Sequence, residues 1–533
     1  MPALKPQVKV SEERRTGGWP VATFLPPILF SIFYLLTTCL RASQKYFWFD
    51  ELATRDICHL PMRSVWEVLR HGADFNPPLF FLVTKFSIAL LGETLVGMRA
   101  PEILGFWVSC LCIYRIVNRH SGWLAASVAM ILPMVTGAYF YAYEARPHGI
   151  VLGFCGLAFL CWQLTIETPG SRRWLLAFSV CLLSAFLLHC YAILICIPFV
   201  VFEIVRFVQF RRIHWPMWIA MVVPAFIATA FYVPLLVSYR KYATGSDYQT
   251  LFPPSVGALS GFYVYLVTPC IFIVLISVAL FAIQNVRGFH DSQRSEPRGI
   301  PPSMPEIVVS LGFLFLPVLG VILAVIVRGP FFGRYFMATS LGLSVLIGLA
   351  AGARHSVNWV AVTLAIFLVL PIFWNSTALL WHRSHGVAED LHEPSTGYDM
   401  NSSLQGPLEH YELLTSRKSG SGPIVILDPL DFLYLLHYAP ALRPRLYYVQ
   451  GAPNDFAYIG FHNFHPWAPF KFNRELTKQE LLALSPQSIV YGRTTFLKEL
   501  GPLVQAGGII TSMQFANNHF LAGLQVNHDS AHR

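Results

Sequence analysis

Long apolar runs leave this chain few ways to fold. A bilayer's hydrocarbon core takes about 20 consecutive apolar residues per crossing. Runs of that order recur near residues 21–40, 100–118, 122–142, 147–166, 174–189, 191–208, 216–237, 258–284, 307–327, 335–353 and 357–378. With 55% hydrophobic and only 13% charged residues, the chain reads as a polytopic α-helical membrane protein of about 11 transmembrane helices. The formal net charge of +9 does not call for nucleic acid, because most Lys and Arg lie in short loops between apolar runs, as the positive-inside rule describes. Of the ten cysteines, only Cys58 sits in a clear loop and none follows residue 270. They read as small membrane hydrophobes, not as a disulfide framework.

The segment from Pro78 to Leu91 is apolar but too short to cross, and it carries Lys85. It reads as an interfacial helix. With that choice the parity holds along the chain. Residues 1–20, Arg115/Arg119, Arg172/Arg173, Arg206/Arg211/Arg212, Arg287/Arg294/Arg298 and Arg354 fall on the cytoplasmic side. The first loop, 41–98, and the tail fall outside an inner (plasma) membrane. The expected organisation is a cytoplasmic segment 1–20, a membrane domain 21–381 and an extracytoplasmic α/β domain 382–533. In that tail, residues 423–427 read as a buried strand ended by Asp428, with a helical stretch to Tyr438. Residues 488–491 read as another strand, and 509–515 with 520–526 as a hairpin. Asp428 reads as a loop cap. His462 and His465, with no Cys nearby, are a weak metal pair. Asn375-Ser-Thr and Asn401-Ser-Ser match the glycosylation acceptor pattern.

A chain this sparing with acids places two side by side in Trp48-Phe49-Asp50-Glu51, just beyond the first apolar run. Ionisable groups near the membrane mark candidate functional sites; the plainer reading is two carboxylates starting a loop helix, where they suit its dipole. The parity puts Lys85, Arg99, Glu144, Arg146, His148, His189, Arg334 and Tyr335 at the same outer boundary. Arg99 and Lys85 also fit a snorkelling role, Glu144 and Arg146 fit a pair with each other, and His189 fits a bond to a backbone carbonyl. Taken together, the set suits displacement of a phosphate leaving group from a sugar. One carboxylate takes the proton of an attacking hydroxyl, and cations stabilise the departing phosphate. A phosphate on a long isoprenoid sits at headgroup depth, which points to a polyprenyl-phosphate sugar donor and a glycan, lipid or protein acceptor. Rival readings are a transporter or flippase of a lipid-linked glycan, and a scaffold in an envelope assembly.

The chain resembles the GT-C superfamily of membrane glycosyltransferases, in the branch of protein O-mannosyltransferases and the lipid A aminoarabinose transferase. The residues that carry the likeness are Phe49-Asp50-Glu51, Asn76-Pro77-Pro78-Leu79, Gly92-Glu93 with Met98-Arg99-Ala100-Pro101, Tyr143-Glu144-Ala145-Arg146-Pro147 and Arg334-Tyr335. They span about residues 20–355. The resemblance implies Asp50 as catalytic base, with Glu144 in the acidic site and Glu51 beside it. It implies Lys85, Arg146 and Arg334 as candidates to hold lipid phosphate; Arg99 and Tyr335 join them by position, and His148 and His189 are further candidates. Members often have Tyr at the position of His148, and the aminoarabinose enzymes have Lys before the helix-opening Pro, where Asn76 stands here. A divalent ion held by Asp50 and Glu144 occurs in the wider superfamily, whereas monosaccharide-transferring relatives generally need none.

Overall fold

The computed structural model describes residues 23–70, 74–245, 253–271, 275, 304–352, 411–415, 422–449, 475–476, 487–505, 507–516 and 519–526. The expected span 357–378, the segments 1–20 and 285–303, His462, His465, Asn375 and Asn401 lie outside them.

Helix α1 (Leu25–Gln44) opens on prolines, which suit a first helical turn because its N–H groups have no intrahelical acceptor. Its residues Ile28, Leu29, Ile32 and Leu36 are all more than half exposed. An apolar face with no protein cover is a lipid face. The opposite face is polar and buried: Tyr34 Oη donates to Ile103 O at 2.9 Å, and Thr38 bonds Tyr139 at 2.9 Å.

Helix α5 (Leu95–Ile131) takes up the run 100–118 and the start of 122–142. The two are separated inside it by Gly122, at φ 79°, a conformation that only glycine adopts without strain. Helix α6 (His148–Glu167) packs along α5 with almost no gap. A Cβ on Gly105 would lie 2.3 Å from Ile150 Cα, and one on Gly153 would lie 2.6 Å from Gly105 O. Lipid gives no hydrophobic drive between helices, so this close backbone packing is what joins them.

The adjoining runs 174–189 and 191–208 form two helices, α7 (Arg172–Leu188) and α8 (Cys196–Phe210). Extended backbone at His189 and a 3₁₀ turn over Cys190–Ile195 part them. Helices α9 (Trp215–Gly245) and α10 (Val256–Val267) follow. Helices α11 (Met304–Leu314) and α12 (Leu316–Val327) meet at a 44° bend. Pro317 explains the bend: it supplies no N–H to Phe313, and its ring crowds that carbonyl. Helix α13 (Thr339–Gly352) ends the described membrane part. Five described helices are long and apolar enough to cross a membrane, or six with the bent pair counted as one. The chain is an integral membrane protein.

The first loop folds into three helices, α2 (Phe49–His59), α3 (Met62–Arg70) and α4 (Pro78–Leu91). Helix α4 buries Phe80, Phe81, Thr84 and Ser87 and leaves Leu82, Phe86, Leu90 and Leu91 exposed. It spans only 14 residues and packs on α2, α3, α5 and α7.

Beyond the helices lies a six-stranded sheet, ordered β3-β2-β1-β4-β6-β5. Its strands are β1 (Ile424–Ile426), β2 (Leu446–Val449), β3 (Glu475–Leu476), β4 (Gln487–Arg493), β5 (Gly508–Ala516) and β6 (His519–Val526). The first four are parallel, and β6 and β5 continue antiparallel. Helix α14 (Pro429–Tyr438) makes the crossover from β1 to β2. On the other face, Leu500 and Leu503 of α15 (Leu500–Gln505) pack on Val425, Val490, Phe520 and Leu524. The strands anticipated at 423–427, 488–491, 509–515 and 520–526 are all present in this small α/β unit.

Candidate functional site

The site is built where the short helix α2 meets the loop before α6. Trp48 is extended and its N–H donates to Glu51 Oε2 at 3.3 Å, so the chain enters α2 with Asp50 and Glu51 in its first turn. The two neighbours then face different surroundings.

Glu51 is fully buried against Arg99, with both carboxylate oxygens 2.7 Å from the guanidinium. Arg99 gives its remaining hydrogens to Ala42 O and Lys45 O at 2.7 Å and to Tyr46 O at 3.3 Å. A guanidinium has five N–H donors, and here each has a protein acceptor. The expectation that Arg99 holds lipid phosphate is therefore corrected: it has no donor to spare and no exposed surface. Glu51 is likewise not disposed for proton transfer. It also accepts from Ala145 N at 2.6 Å. Burial alone would raise its pKa, but the charge and hydrogen bonds of Arg99, with Lys45 and the Ala145 N–H, outweigh it and hold the carboxyl below its ordinary value.

Asp50 keeps some exposure, 19% of its side chain. Its Oδ2 lies 3.1 Å from Arg334 Nη1 and 3.7 Å from Arg146 Nε. Arg146 is oriented by a residue that sequence reasoning missed. Asp74 takes its two terminal nitrogens at 2.6 and 3.3 Å, while Thr54 accepts at 3.2 Å. Asp74 is in turn fixed by Asn76, whose backbone N–H and side-chain amide donate to Oδ1 at 2.9 and 2.8 Å. The signal available was Asp74-x-Asn76-Pro77, a turn-forming acid just before a helix.

Arg334 lies in a 3₁₀ turn, Gly333–Phe336, with its guanidinium over the rings of Phe332 and Tyr335 at 5.4 and 5.6 Å. Its Nε is buried with no hydrogen-bond partner among the described residues. Burial works against the charge of both arginines. For Arg146 the carboxylates of Asp74 and Asp50 more than offset it, and for Arg334 Tyr335 and Asp50 do; both pKa values end above the ordinary range.

An aromatic wall closes one side. Tyr191 stacks on Tyr335 at 4.6 Å, His189 lies 4.7 Å from Tyr335 and 5.5 Å from His148, and His148 lies 5.0 Å from Tyr141. Burial, with the charges of Arg146 and Arg334, pushes the His189 pKa down to about 3. The ring is neutral, and its Nδ1 accepts from Tyr191 N at 3.2 Å, which leaves the proton on Nε2.

Glu144 is buried and close enough to raise the Arg334 pKa further. The structure thus gathers Asp50, Glu144, Arg146, His148, His189, Arg334 and Tyr335. Lys85 stands apart: its Nζ donates to Leu60 O at 2.6 Å, beyond the C-terminal end of α2 and about 15 Å along that helix from Asp50. Among the described residues, no group of three or more His, Cys, Asp or Glu is placed to hold a metal ion.

No family model matches the chain, and no curated protein matches it. Solved structures do. The crystal structure of ArnT from Cupriavidus metallidurans bound to undecaprenyl phosphate superposes with a TM-score of 0.53 at 13% identity, over 93% of this chain and 97% of that one. ArnT from the same organism in the apo state gives 0.53 at 12% identity, with the same coverage. The chain has a GT-C-like fold. The likeness runs through both the membrane part and the sheet-bearing tail, since so little of either chain is left uncovered.

Proposed function

We infer that the protein is an inverting glycosyltransferase that moves a sugar from a polyprenyl-phosphate donor to an acceptor hydroxyl, with Asp50 as general base. The observation that carries this is the partly exposed Asp50 carboxylate held against two guanidiniums beside an aromatic wall. The fold shared with ArnT, one of whose structures holds undecaprenyl phosphate, supports a polyprenyl-phosphate donor. The positive-inside pattern supports a site on the extracytoplasmic face of the plasma (inner) membrane.

In this reading the acceptor oxygen attacks the anomeric carbon while Asp50 takes its proton. The bond from that carbon to the phosphate oxygen breaks, and polyprenyl phosphate leaves with the electron pair. One displacement inverts the configuration. The charge gained by the phosphate falls to Arg334, whose buried Nε has no partner among the described residues, with Arg146 behind it. Donor phosphate competes with Asp50 for Arg334, so donor binding itself frees the base. Neutral His189 offers an uncharged donor to the sugar or phosphate, and Tyr335 and Tyr191 offer ring faces to the sugar.

The test is transfer by the purified protein in liposomes that carry a membrane lipid and glycan extract as the source of acceptor hydroxyls, using a panel of undecaprenyl-phosphate-linked pentoses and hexoses and reading release of undecaprenyl phosphate. The wild type should consume at least one donor. Asp50→Asn should lose about 10²–10⁴-fold in kcat, the usual contribution of a positioned base. Undiminished release by Asp50→Asn refutes the assignment.

A further inference from the structure

Helix α14 belongs to the tail, yet it reaches across more than 380 positions of sequence to the helix that carries Asp50. Tyr438 Oη accepts from Phe47 N at 2.8 Å and lies 3.2 Å from Phe47 O, to which it donates. One tail hydroxyl thus satisfies both backbone groups of a residue three positions before Asp50. Its ring stands edge-on to Tyr46 at 5.5 Å. One residue earlier, His437 is buried between two residues of α2. Arg55 Nη1 donates to its Nδ1 at 2.7 Å, and its Nε2 faces Asp56 Oδ2 at 3.2 Å. Those partners fix the neutral Nε2–H tautomer, because Nδ1 is occupied as an acceptor. Asp56 and His437 side chains are 1% and 3% exposed, so this contact is sealed from water. Arg55 extends it through an ion pair to Glu93, just before α5.

We propose that α14 positions the base: Tyr438 holds the chain at Phe47, just before α2, and His437 holds α2 at Arg55 and Asp56, so that the Asp50 carboxylate meets Arg334 and the acceptor in working geometry. Neither side chain touches the reacting groups; both act through α2. The physical need is plain. Helix α2 has only 11 residues, and helices shorter than about 12–15 residues are marginal without tertiary contacts. Glu51 and Arg99 anchor its first turn from the membrane side, but nothing in that pair sets the rotation of the next two turns. Asp56 and Arg55 lie one and a half turns beyond Asp50, and His437 binds both. A base displaced by as little as 1 Å loses about 10²-fold in rate, so the rotation of α2 matters.

The proposal rests on Asp50 being the base, and the test separates the two. In full-length protein, Tyr438→Phe removes one hydroxyl and keeps the ring, and His437→Gln and Asp56→Asn weaken the second point from either side. Each should lower kcat by about tenfold or more, as expected when a buried hydrogen bond loses a partner, with the KM for donor within about twofold. His437→Gln and Asp56→Asn together should lose no more than one of them, since they break a single contact. Met513→Ser, on an exposed face of β5, should match the wild type. Hydrogen exchange of residues 46–56 is measured on the same samples and should quicken in the three clamp variants. Wild-type kcat in both Tyr438→Phe and His437→Gln overturns the proposal, as does a raised KM with unchanged kcat, which would make α14 a donor-binding element. If any variant elutes as aggregate, the exchange of residues 46–56 in the remaining two decides. If the wild type transfers no sugar, the functional reading fails alone. Protected 46–56 amides that loosen in Tyr438→Phe would still establish the clamp, and unchanged exchange would remove it.

Discussion

Two adjacent carboxylates with different partners make a sharp test of the proposed base. Glu51→Gln alters the buried member and leaves Asp50 in place. In the wild type, Glu51 and Arg99 are both fully buried, with two contacts of 2.7 Å between them. Removing one charge of a buried pair leaves the other uncompensated and costs about 3–5 kcal/mol. Glutamine keeps one acceptor, so the lower end of that range applies. The loss should appear as a lower thermal midpoint in detergent, read by size-exclusion recovery after heating. Transfer per folded molecule, assayed well below that midpoint, should stay within about tenfold of wild type, because Glu51 does not reach the reacting atoms. The pH dependence has a fixed sign. The Glu51 pKa in the folded protein lies below its ordinary value of 4.5. Its stabilisation is therefore complete above that value and is lost as pH falls through the lower, folded-state pKa. The wild-type midpoint should drop more steeply than that of Glu51→Gln as the pH is lowered from about 5.5 to 3. A Glu51→Gln protein with the wild-type midpoint but no transfer would refute the division of roles.

Other outcomes follow from the same geometry. Asp74→Asn frees Arg146 to close on Asp50 from its present 3.7 Å. A nearer cation occupies the carboxylate oxygen that must receive the acceptor proton, so kcat should fall about 10–100-fold with the KM for donor little changed; an unchanged kcat would mean that Asp74 does not act through Asp50. Gly105→Val places a side chain where a Cβ alone would meet Ile150 Cα at 2.3 Å, so α5 and α6 must separate. Detergent-extracted protein should fall several-fold, as expected for a helix contact built on small residues, and wild-type recovery would show that this pair of helices tolerates a gap.

Much of this fold was legible because its code is local. Apolar runs of span length mark helices wherever they occur, and the runs 174–189 and 191–208 stand as α7 and α8. The strands of the tail were readable for a similar reason: residues 423–427 are short, β-branched and bounded by Pro423 and Asp428. The refusal to let residues 78–91 cross is also met in space, since Ala145 N bonds Glu51 and Asp50 meets Arg146 across 96 positions of chain. Had that segment spanned, those groups would lie on opposite sides of the bilayer.

What sequence could not supply was partnership. Arg99 looked like a phosphate ligand because a cation at headgroup depth usually points to water or lipid. Its five acceptors include three carbonyls at the end of α1, and carbonyls leave no mark in a sequence. Asp74 drew no notice because its partner stands 72 positions away. The same blindness explains why Asp50 and Glu51 looked alike. They share a helix turn, a charge and a distance from the membrane. The difference is a helical rotation of about 100° from one residue to the next. That rotation sends one carboxylate into a saturated guanidinium and the other to Arg334, whose Nε has no hydrogen bond among the described residues. In the proposed reaction the base is the carboxylate whose cation can still be drawn away by substrate, and of these two acids that is Asp50.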